Sequence, residues 1–399
     1  MTTRQQVIKQ YEKKGKKATE EQIKNALKRS EVKSRVISAT AASPVHKSVK
    51  PEPLSAEQQV DLEKAKLDAK RDGTEAKLRI SLERQHQQEK LIDGLLTIKN
   101  TPIEPFRIEP KVSSGNSTAT AFMIASDWHN EELVKSGSVT GQNEYNLEIF
   151  HDRAVRFFKG GQRLWDIMRR DQHVPTIVLA LLGDFITGNI HPDSAETNQL
   201  LPTDAIKNAR LHIAAGIDLL LNDTDADIVV PCHTGNHGRA TAQQRIAAEQ
   251  GFSYELMMYQ TLAEKYEDNP RVKFLIAEGY HQTIPIVGEG KNEGNEFLIR
   301  FHHGHHINYG GGVGGITIPV LKKIANWNTQ PDMRGVNLDV FGHFHQYVNY
   351  GSFVCNGSLI GYNAYANSIG ATYERPQQAF FCVSHKEMAK TMSTPIFVD

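Results

Sequence analysis

From about residue 120 onward, short apolar runs alternate with segments of helical periodicity. The apolar runs read as buried strands, and they cover residues 121–126, 176–182, 227–231, 296–301 and 338–342. The intervening segments 150–171 and 203–222 are predicted to be helices. Alternating strands and helices of this kind predict an α/β domain built around a buried sheet.

The first 119 residues have a different pattern. Strong helix formers dominate two stretches. Residues 36–54 are rich in Ser, Ala, Pro and Lys, and residues 99–119 contain three prolines and a cluster of Ser, Gly and Asn. The predicted organisation is a basic helical unit that could be helix-turn-helix-like, a linker, a helical spacer that could mediate oligomerisation, a second linker and the α/β domain. These parts span 1–35, 36–54, 55–98, 99–119 and 120–399.

Charge is distributed unevenly along the chain. Lys+Arg and Asp+Glu number 46 each, yet residues 1–50 carry 13 basic and 4 acidic side chains, so the remainder is net acidic. Lysines 13, 14, 16 and 17 are bunched within this basic start. A basic arm on an acidic body indicates an anionic partner, and nucleic acid is the partner we expect. Two solvated amphipathic helices remain the alternative explanation.

The remaining composition indicates a soluble protein of a reducing compartment. The three cysteines, Cys232, Cys355 and Cys382, show no CxxC spacing and do not form the pattern of a disulfide framework. The N-terminus lacks the apolar run of a signal peptide, and no stretch of eighteen apolar residues occurs. We therefore expect a cytoplasmic location without membrane association.

Potential metal ligands follow nearly every predicted strand. Loops at the carboxyl ends of strands in an α/β sheet meet in one crevice, so side chains that are far apart in sequence can converge there. The five motifs are Asp127-Trp128-His129, Gly183-Asp184, Gly235-Asn236-His237, His302-His303-Gly304-His305 and Gly342-His343-Phe344-His345.

These residue types suit a pair of divalent ions. Two ions about 4 Å apart can clamp phosphoryl oxygens and hold a bridging hydroxide as the nucleophile. One bridging carboxylate with neutral imidazole and amide donors avoids over-neutralising the ions, whereas thiolates would select softer metals. Mn²⁺ is the favoured ion, with Fe, Zn²⁺ or Co²⁺ as alternatives.

In this order, the five motifs resemble those of the calcineurin-like metallophosphoesterase superfamily, over roughly residues 120–360. The resemblance implies a central β-sandwich flanked by helices, here with an N-terminal helical extension. It places Asp127, His129 and His345 on one metal. It places Asn236, His303 and His343 on the other, with Asp184 bridging. It makes His237 the histidine that sits beside the phosphate and assists the leaving group.

The resemblance therefore implies metal-dependent hydrolysis of a phosphodiester, and the basic arm favours nucleic acid as the substrate. The chain is more similar to the DNA repair nuclease branch than to the protein phosphatase branch, and its appendages resemble those of phage-encoded members. Two alternatives stay open. One is a phosphomonoesterase or cyclic-nucleotide phosphodiesterase acting on small molecules, and the other is a non-catalytic scaffold with this fold.

Several residues around the motifs have two interpretations each. His302 and His305 compete with His303 as the ligand. Gly238 and Arg239 follow His237 where the family commonly has an acidic residue that orients the histidine, so Arg239 either contacts phosphate or is a solvated loop residue. Other candidates are the glycine-rich segment 308–315 as an active-site loop, Tyr362 and Tyr365 as base-stacking or packing residues, and His191 near the site.

Overall fold

The computed structural model describes residues 106–111, 117–190, 196–309, 315–331 and 334–399. The predicted basic helical unit, the linker 36–54 and the helical spacer lie outside the described residues. So do His191 and most of the glycine-rich segment, residues 310–314. In the part of the chain that is described, no helix is long and apolar enough to cross a membrane.

Two mixed sheets form the centre of the molecule. The first has the strand order β11-β10-β1-β2-β3-β4, and the second has the order β5-β6-β7-β9-β8. The strands are β1 Thr118–Ala125, β2 His173–Leu181, β3 Asp227–Cys232, β4 Val272–Ile276, β5 Gln282–Val287, β6 Glu296–Phe301, β7 Leu338–Phe341, β8 Val348–Asn349, β9 Phe353–Cys355, β10 Gln377–Ser384 and β11 Ala389–Phe397.

Parallel pairing brings the motif-bearing strand ends to one edge. In the first sheet β1, β2, β3 and β4 run parallel, while β10 and β11 join antiparallel. In the second sheet β6, β7 and β9 run parallel, with β5 and β8 antiparallel at the two sides. The carboxyl ends of the strands within each parallel set therefore lie side by side.

Helices cover the outer faces of both sheets. The helices are α1 Leu147–Met168, α2 Pro202–Asp223, α3 Tyr254–Lys265, α4 Thr317–Asn328 and α5 Ala364–Ser368. The first three pack on the first sheet, and α4 packs on the second sheet through Val320, Ile324 and Trp327. The predicted fold class, an α/β protein with a central sandwich flanked by helices, is confirmed.

Alternate residues of β1 pack into two different hydrophobic cores. Phe122 and Ile124 point into the space between the sheets, where they meet Ile299 and Val340 of the second sheet. Met123 points to the opposite face, toward the helices. Both faces of the strand are buried, which explains why its sequence is a continuous apolar run rather than an alternating one.

The folded unit begins earlier than the predicted boundary at residue 120. The backbone N–H of Ile108 donates to Pro285, and Val287 donates back to Ile108, which is itself buried. Part of the segment predicted as the second linker therefore pairs with β5. A single apolar residue among prolines carries no periodicity, so this short bridge has no recognisable pattern in the sequence.

Candidate metal centre

All five motifs sit at the strand ends where the sequence analysis places them. Asp127 follows β1, Asp184 follows β2, Asn236 follows β3, His303 follows β6 and His343 follows β7. The loops interlock through the backbone: the carbonyl of Asp184 accepts hydrogen bonds from the N–H groups of Trp128 and His129, at 2.9 and 3.1 Å. The strand-end loops of β1 and β2 are thus held as one unit.

Backbone strain is concentrated at these residues. Asp127, His129, Asp184, His343 and His345 all have φ between 45° and 71°, a region that side chains other than glycine seldom adopt. Such conformations persist only where the surroundings impose them, and they cluster at functional sites. Here they direct side chains from different strands toward common points.

The structure gathers six of the side chains into two groups of donors. Within each group, one donor atom per residue lies within 4.8 Å of the others, and the groups are Asp127 with His129 and His345, and Asp184 with His303 and His343. These groups are the two sets that the resemblance implies, apart from Asn236. Asp127, His129, Asp184 and His303 are buried, whereas His343 and His345 reach the partly exposed rim.

Distances within each group match those between ligands of one ion. The Nε2 atoms of His129 and His345 are 3.2 Å apart, and His345 Nε2 is 3.4 Å from Asp127 Oδ1. In the second group, His303 Nε2 is 2.9 Å from Asp184 Oδ2. Two donors bound at roughly 2.1 Å to one ion are separated by about 3.0–3.4 Å, depending on the angle between them. Both groups therefore fit a divalent ion.

Asn236 adds an independent indication. Its side-chain Oδ1 is buried and meets no hydrogen-bond donor among the described residues. Buried amide oxygens are almost always paired, so an unpaired one at the end of β3 calls for a hydrogen-bond donor or a cation as its partner. A second-group ion fits that requirement.

Two of the histidines are oriented by hydrogen bonds at Nδ1, the ring nitrogen that points away from the other donors. His303 Nδ1 lies 2.6 Å from the carbonyl of Leu182, and His129 Nδ1 lies 3.1 Å from Thr187 Oγ1, which in turn donates to Glu132. A hydrogen bond at Nδ1 fixes the tautomer and leaves Nε2 with a lone pair for a metal. In both residues Nε2 faces the acidic or imidazole donors of its own group.

The pKa values of the site residues are shifted by burial and by the charges of their neighbours. Burial, reinforced by the charges of His237 and His345, holds the pKa of His129 well below its ordinary value. Burial also lowers the pKa of His303, but the charge of Asp184 outweighs it and raises that pKa to about 10. The imidazoles of His303 and His237 hold the pKa of Asp184 well below its ordinary value despite burial. The Asp184 carboxyl is therefore ionised, and positive charge beside it stabilises the ionised form.

The structure separates the three rival histidines of the fourth motif. His303 faces Asp184, whereas His302 stacks on Phe341 with its Nε2 3.4 Å from Asp339, on the side of α4. His305 contacts Glu249 instead. Among the three, His303 is the one that the fold brings to Asp184.

The other candidates also have defined places. Arg239 donates to the carbonyls of Asn236 and Thr241, so it holds its own loop. Tyr362 is buried and donates to the carbonyl of Ala371, as a packing residue does, while Tyr365 is 71% exposed.

Two buried carboxyl groups beneath the site have no signature in the sequence. Glu255 accepts from the backbone N–H groups of Phe185 and Gly235, at 2.7 Å each, and so ties the β2 and β3 loops together. Burial and the charge of Asp184 raise the pKa of Glu255 to about 8. Glu131 accepts from Thr187 and Gly188. Their partners lie 20 to 70 residues away, which is why no local motif reveals them.

The solved structures that resemble this chain include two of low sequence identity. A dimetal phosphatase from Danio rerio aligns with 70% of this chain and 99% of its own, at 11% identity and a TM-score of 0.33. The sulfate thiohydrolase SoxB from Thermus thermophilus, in complex with glycerol, aligns with 71% of this chain and 57% of its own, at 8% identity and a TM-score of 0.28. No family model and no curated protein matches the sequence. The function is therefore inferred from the geometry of the site.

Glu131 provides a test of the buried layer that supports the site. Burial raises its pKa from 4.5 to about 7, so the folded protein keeps a proton that the unfolded chain releases between those pH values. Stability due to this group is complete below pH 4.5 and is lost as pH rises through 7. Glu131→Gln keeps the accepting oxygen and removes the titration. We expect wild type to lose on the order of 3 kcal/mol relative to the variant across this window.

The measurement is urea unfolding with a chelator present, at several pH values across that window. Glu144→Gln, which removes an exposed carboxylate, is the matched control and should follow wild type. Parallel pH profiles for wild type and Glu131→Gln would show that the pKa of the Glu131 carboxyl is the same in the folded and unfolded states.

Proposed function

We propose that this chain is a dinuclear metal-dependent phosphoesterase of the calcineurin-like superfamily. The observation that carries the proposal is the convergence of two donor groups, each with the spacing of ligands to one ion, at a single edge of the sandwich. Asp127, His129 and His345 hold one ion. Asn236, His303 and His343 hold the other.

Asp184 contacts both His303 of the second donor group and the segment that carries His237. Its Oδ2 lies beside His303, and its Oδ1 accepts a hydrogen bond from the backbone N–H of His237 at 2.8 Å. We assign it the bridging position between the ions. When bound, two divalent ions would neutralise the phosphoryl oxygens and activate water for attack on phosphorus.

His237 is the proton-transfer group in this proposal. Its ring lies edge-on to that of His129, with the ring centroids 4.8 Å apart, so it stands beside the first donor group without belonging to either group. Its Nδ1 is 3.0 Å from the carbonyl of Thr187, an acceptor that places the ring proton on Nδ1. Nε2 is then the atom that exchanges a proton with the leaving oxygen of the ester.

The proposed substrate is a phosphodiester in nucleic acid, and its support comes from the sequence. The excess of basic residues in 1–50 would attract a polyanion to an otherwise acidic chain. The exposed ring of Tyr365 supports the same proposal, since an exposed aromatic side chain can stack on a base. A panel of single-stranded DNA, duplex DNA, RNA and small phosphoesters, each with added Mn²⁺, tests the substrate class. Hydrolysis of the small esters alone would favour the small-molecule phosphoesterase.

The bridging role of Asp184 predicts that activity and both metal ions are lost together. Asp184→Asn should remove most activity toward bis-p-nitrophenyl phosphate and lower the occupancy of both ions, because an amide supplies only one donor atom and no charge. Metal content per folded chain, measured after dialysis, checks this result. Full retention of one ion with loss of the other would contradict the bridging position.

The proposed role of His237 predicts that activity falls while the metal content stays unchanged. His237→Ala should keep both ions and lower turnover of the same diester by about 10²–10⁴-fold, the usual contribution of a positioned acid or base. His151→Ala, at an exposed position on α1, is the control and should behave as wild type. A fall in metal content that parallels the fall in rate would make His237 a ligand instead.

The proposed nucleic-acid contact predicts a salt-dependent effect of the bunched lysines. Changing lysines 13, 14, 16 and 17 to glutamine in the full chain should weaken DNA binding and reduce the slope of log K against log salt by up to about 3–4. Turnover of the small diester should not change. The matched control replaces the exposed lysines Lys135, Lys159, Lys291 and Lys386. Equal salt slopes for the two variants would indicate that the basic N-terminal residues bind a partner other than nucleic acid.

A further inference from the structure

A third group of metal-type donors lies beside the two already described. Glu249 belongs to the segment between β3 and α3, and His305 and His306 follow β6. One donor atom from each of these three residues lies within 4.8 Å of the others. Glu249 Oε1 is 2.5 Å from His305 Nε2, and Glu249 Oε2 is 3.4 Å from His306 Nε2. None of the three belongs to the donor sets of the proposed dinuclear site.

The contacts between these side chains are close, yet they lack hydrogen-bond geometry. Both ring nitrogens of His305 and the Nε2 of His306 are buried, and none has a well-aligned hydrogen-bond partner among the described residues. A histidine paired with a carboxylate normally aims its N–H at the oxygen. Nitrogen and oxygen atoms that lie close without aiming at each other are arranged as ligands around a common point.

The surrounding residues hold this arrangement in place. Tyr280 stacks on the ring of His306, with centroids 3.8 Å apart and an interplanar angle of 16°. The Tyr280 hydroxyl accepts hydrogen bonds from the backbone N–H groups of Gly304 and His306, at 3.2 and 3.1 Å. Gln244 donates to Glu249 Oε1 at 3.1 Å. Support of this kind around the donors is what fixes ligand orientation in metal sites.

The group adjoins the dinuclear site. The ring centroid of His305 is 5.4 Å from that of His303 and 6.2 Å from that of His343. The His305 and Glu249 side chains are 3% and 11% exposed, while His306 is 25% exposed. The three donors therefore lie at the edge of the same crevice, with the most open side at His306.

We propose that Glu249, His305 and His306 bind a third divalent ion of the first transition row. Two imidazoles and one carboxylate are donors that Zn²⁺, Mn²⁺ and Fe²⁺ accept, and three protein ligands leave coordination positions open for water or a phosphate oxygen. The competing explanation is an ion pair in which Glu249 ties the two histidines together without metal. That explanation predicts no difference in metal content when the carboxylate is removed.

The test compares metal content per folded chain between the full-length protein and the variants Glu249→Gln and His306→Gln. Each is incubated with excess Mn²⁺ or Zn²⁺ and then freed of unbound ion. We expect each variant to hold one equivalent fewer than wild type. Glu278→Gln, which removes an exposed carboxylate nearby, is the matched control and should retain the wild-type content.

A Co²⁺ titration gives a second readout that does not depend on activity. The visible absorption of Co²⁺ reports ligand type and number, so wild type should show one more saturating step than Glu249→Gln. Equal metal content and equal titration steps in the two folded proteins would overturn the proposal.

The proposal of a third ion rests beside the proposed dinuclear site but is tested separately from it. The dinuclear site is tested by the loss of ions in Asp184→Asn, and the third site by the loss of one ion in Glu249→Gln. If Asp184→Asn has no effect while Glu249→Gln loses one equivalent, the third site stands and the dinuclear assignment fails.

Discussion

The site depends on three places where the chain has no room for a side chain. A Cβ atom on Gly183 would lie 2.1 Å from the backbone nitrogen of Gly235, and one on Gly235 would lie 2.1 Å from Asp184 Oδ1. A Cβ on Gly342 would lie 2.3 Å from Asp127 Oδ2. Because these positions are glycines, backbone can approach the two carboxylates closely enough to donate to them. The N–H of His237 reaches Asp184, and the N–H of His343 reaches Asp127. The glycines of the motifs are thus part of the carboxylate environment.

The strained backbone of the ligand loops has to be stabilised by what surrounds it. Each residue held at positive φ costs on the order of 1–3 kcal/mol, and five of the proposed ligands are of this kind. The compensation is visible in the buried hydrogen bonds beneath them. Glu255 and Glu131 each accept two backbone N–H groups, and Trp128 between the first two ligands is completely buried among aromatic rings. A rigid support of this type fixes donor positions before any ion binds.

The sequence predicts those elements whose pattern is local. Strands β1, β2, β3, β6 and β7 are largely apolar because both of their faces are buried, and the motif residues follow them closely. Strand β4 is half exposed, β8 has only two residues, and β5 contains a proline, so none of them has a recognisable pattern. The supporting carboxyl groups were missed because their partners are distant in sequence. The N-terminal predictions lie outside the described residues and stay predictions.

The residue after His237 differs from the residue commonly found there in the superfamily whose motifs this chain resembles, yet the ring of His237 is still oriented by a hydrogen bond. An acidic side chain at position 238 has no space, since even a Cβ there would lie 2.8 Å from Glu255 Cγ. The Nδ1–H of His237 instead donates its orienting hydrogen bond to the carbonyl of Thr187. A hydrogen bond at Nδ1 sets which ring nitrogen carries the proton and fixes the orientation of the ring. The Nε2 of His237 therefore keeps the position that its proposed role in proton transfer requires, although no acidic side chain follows it.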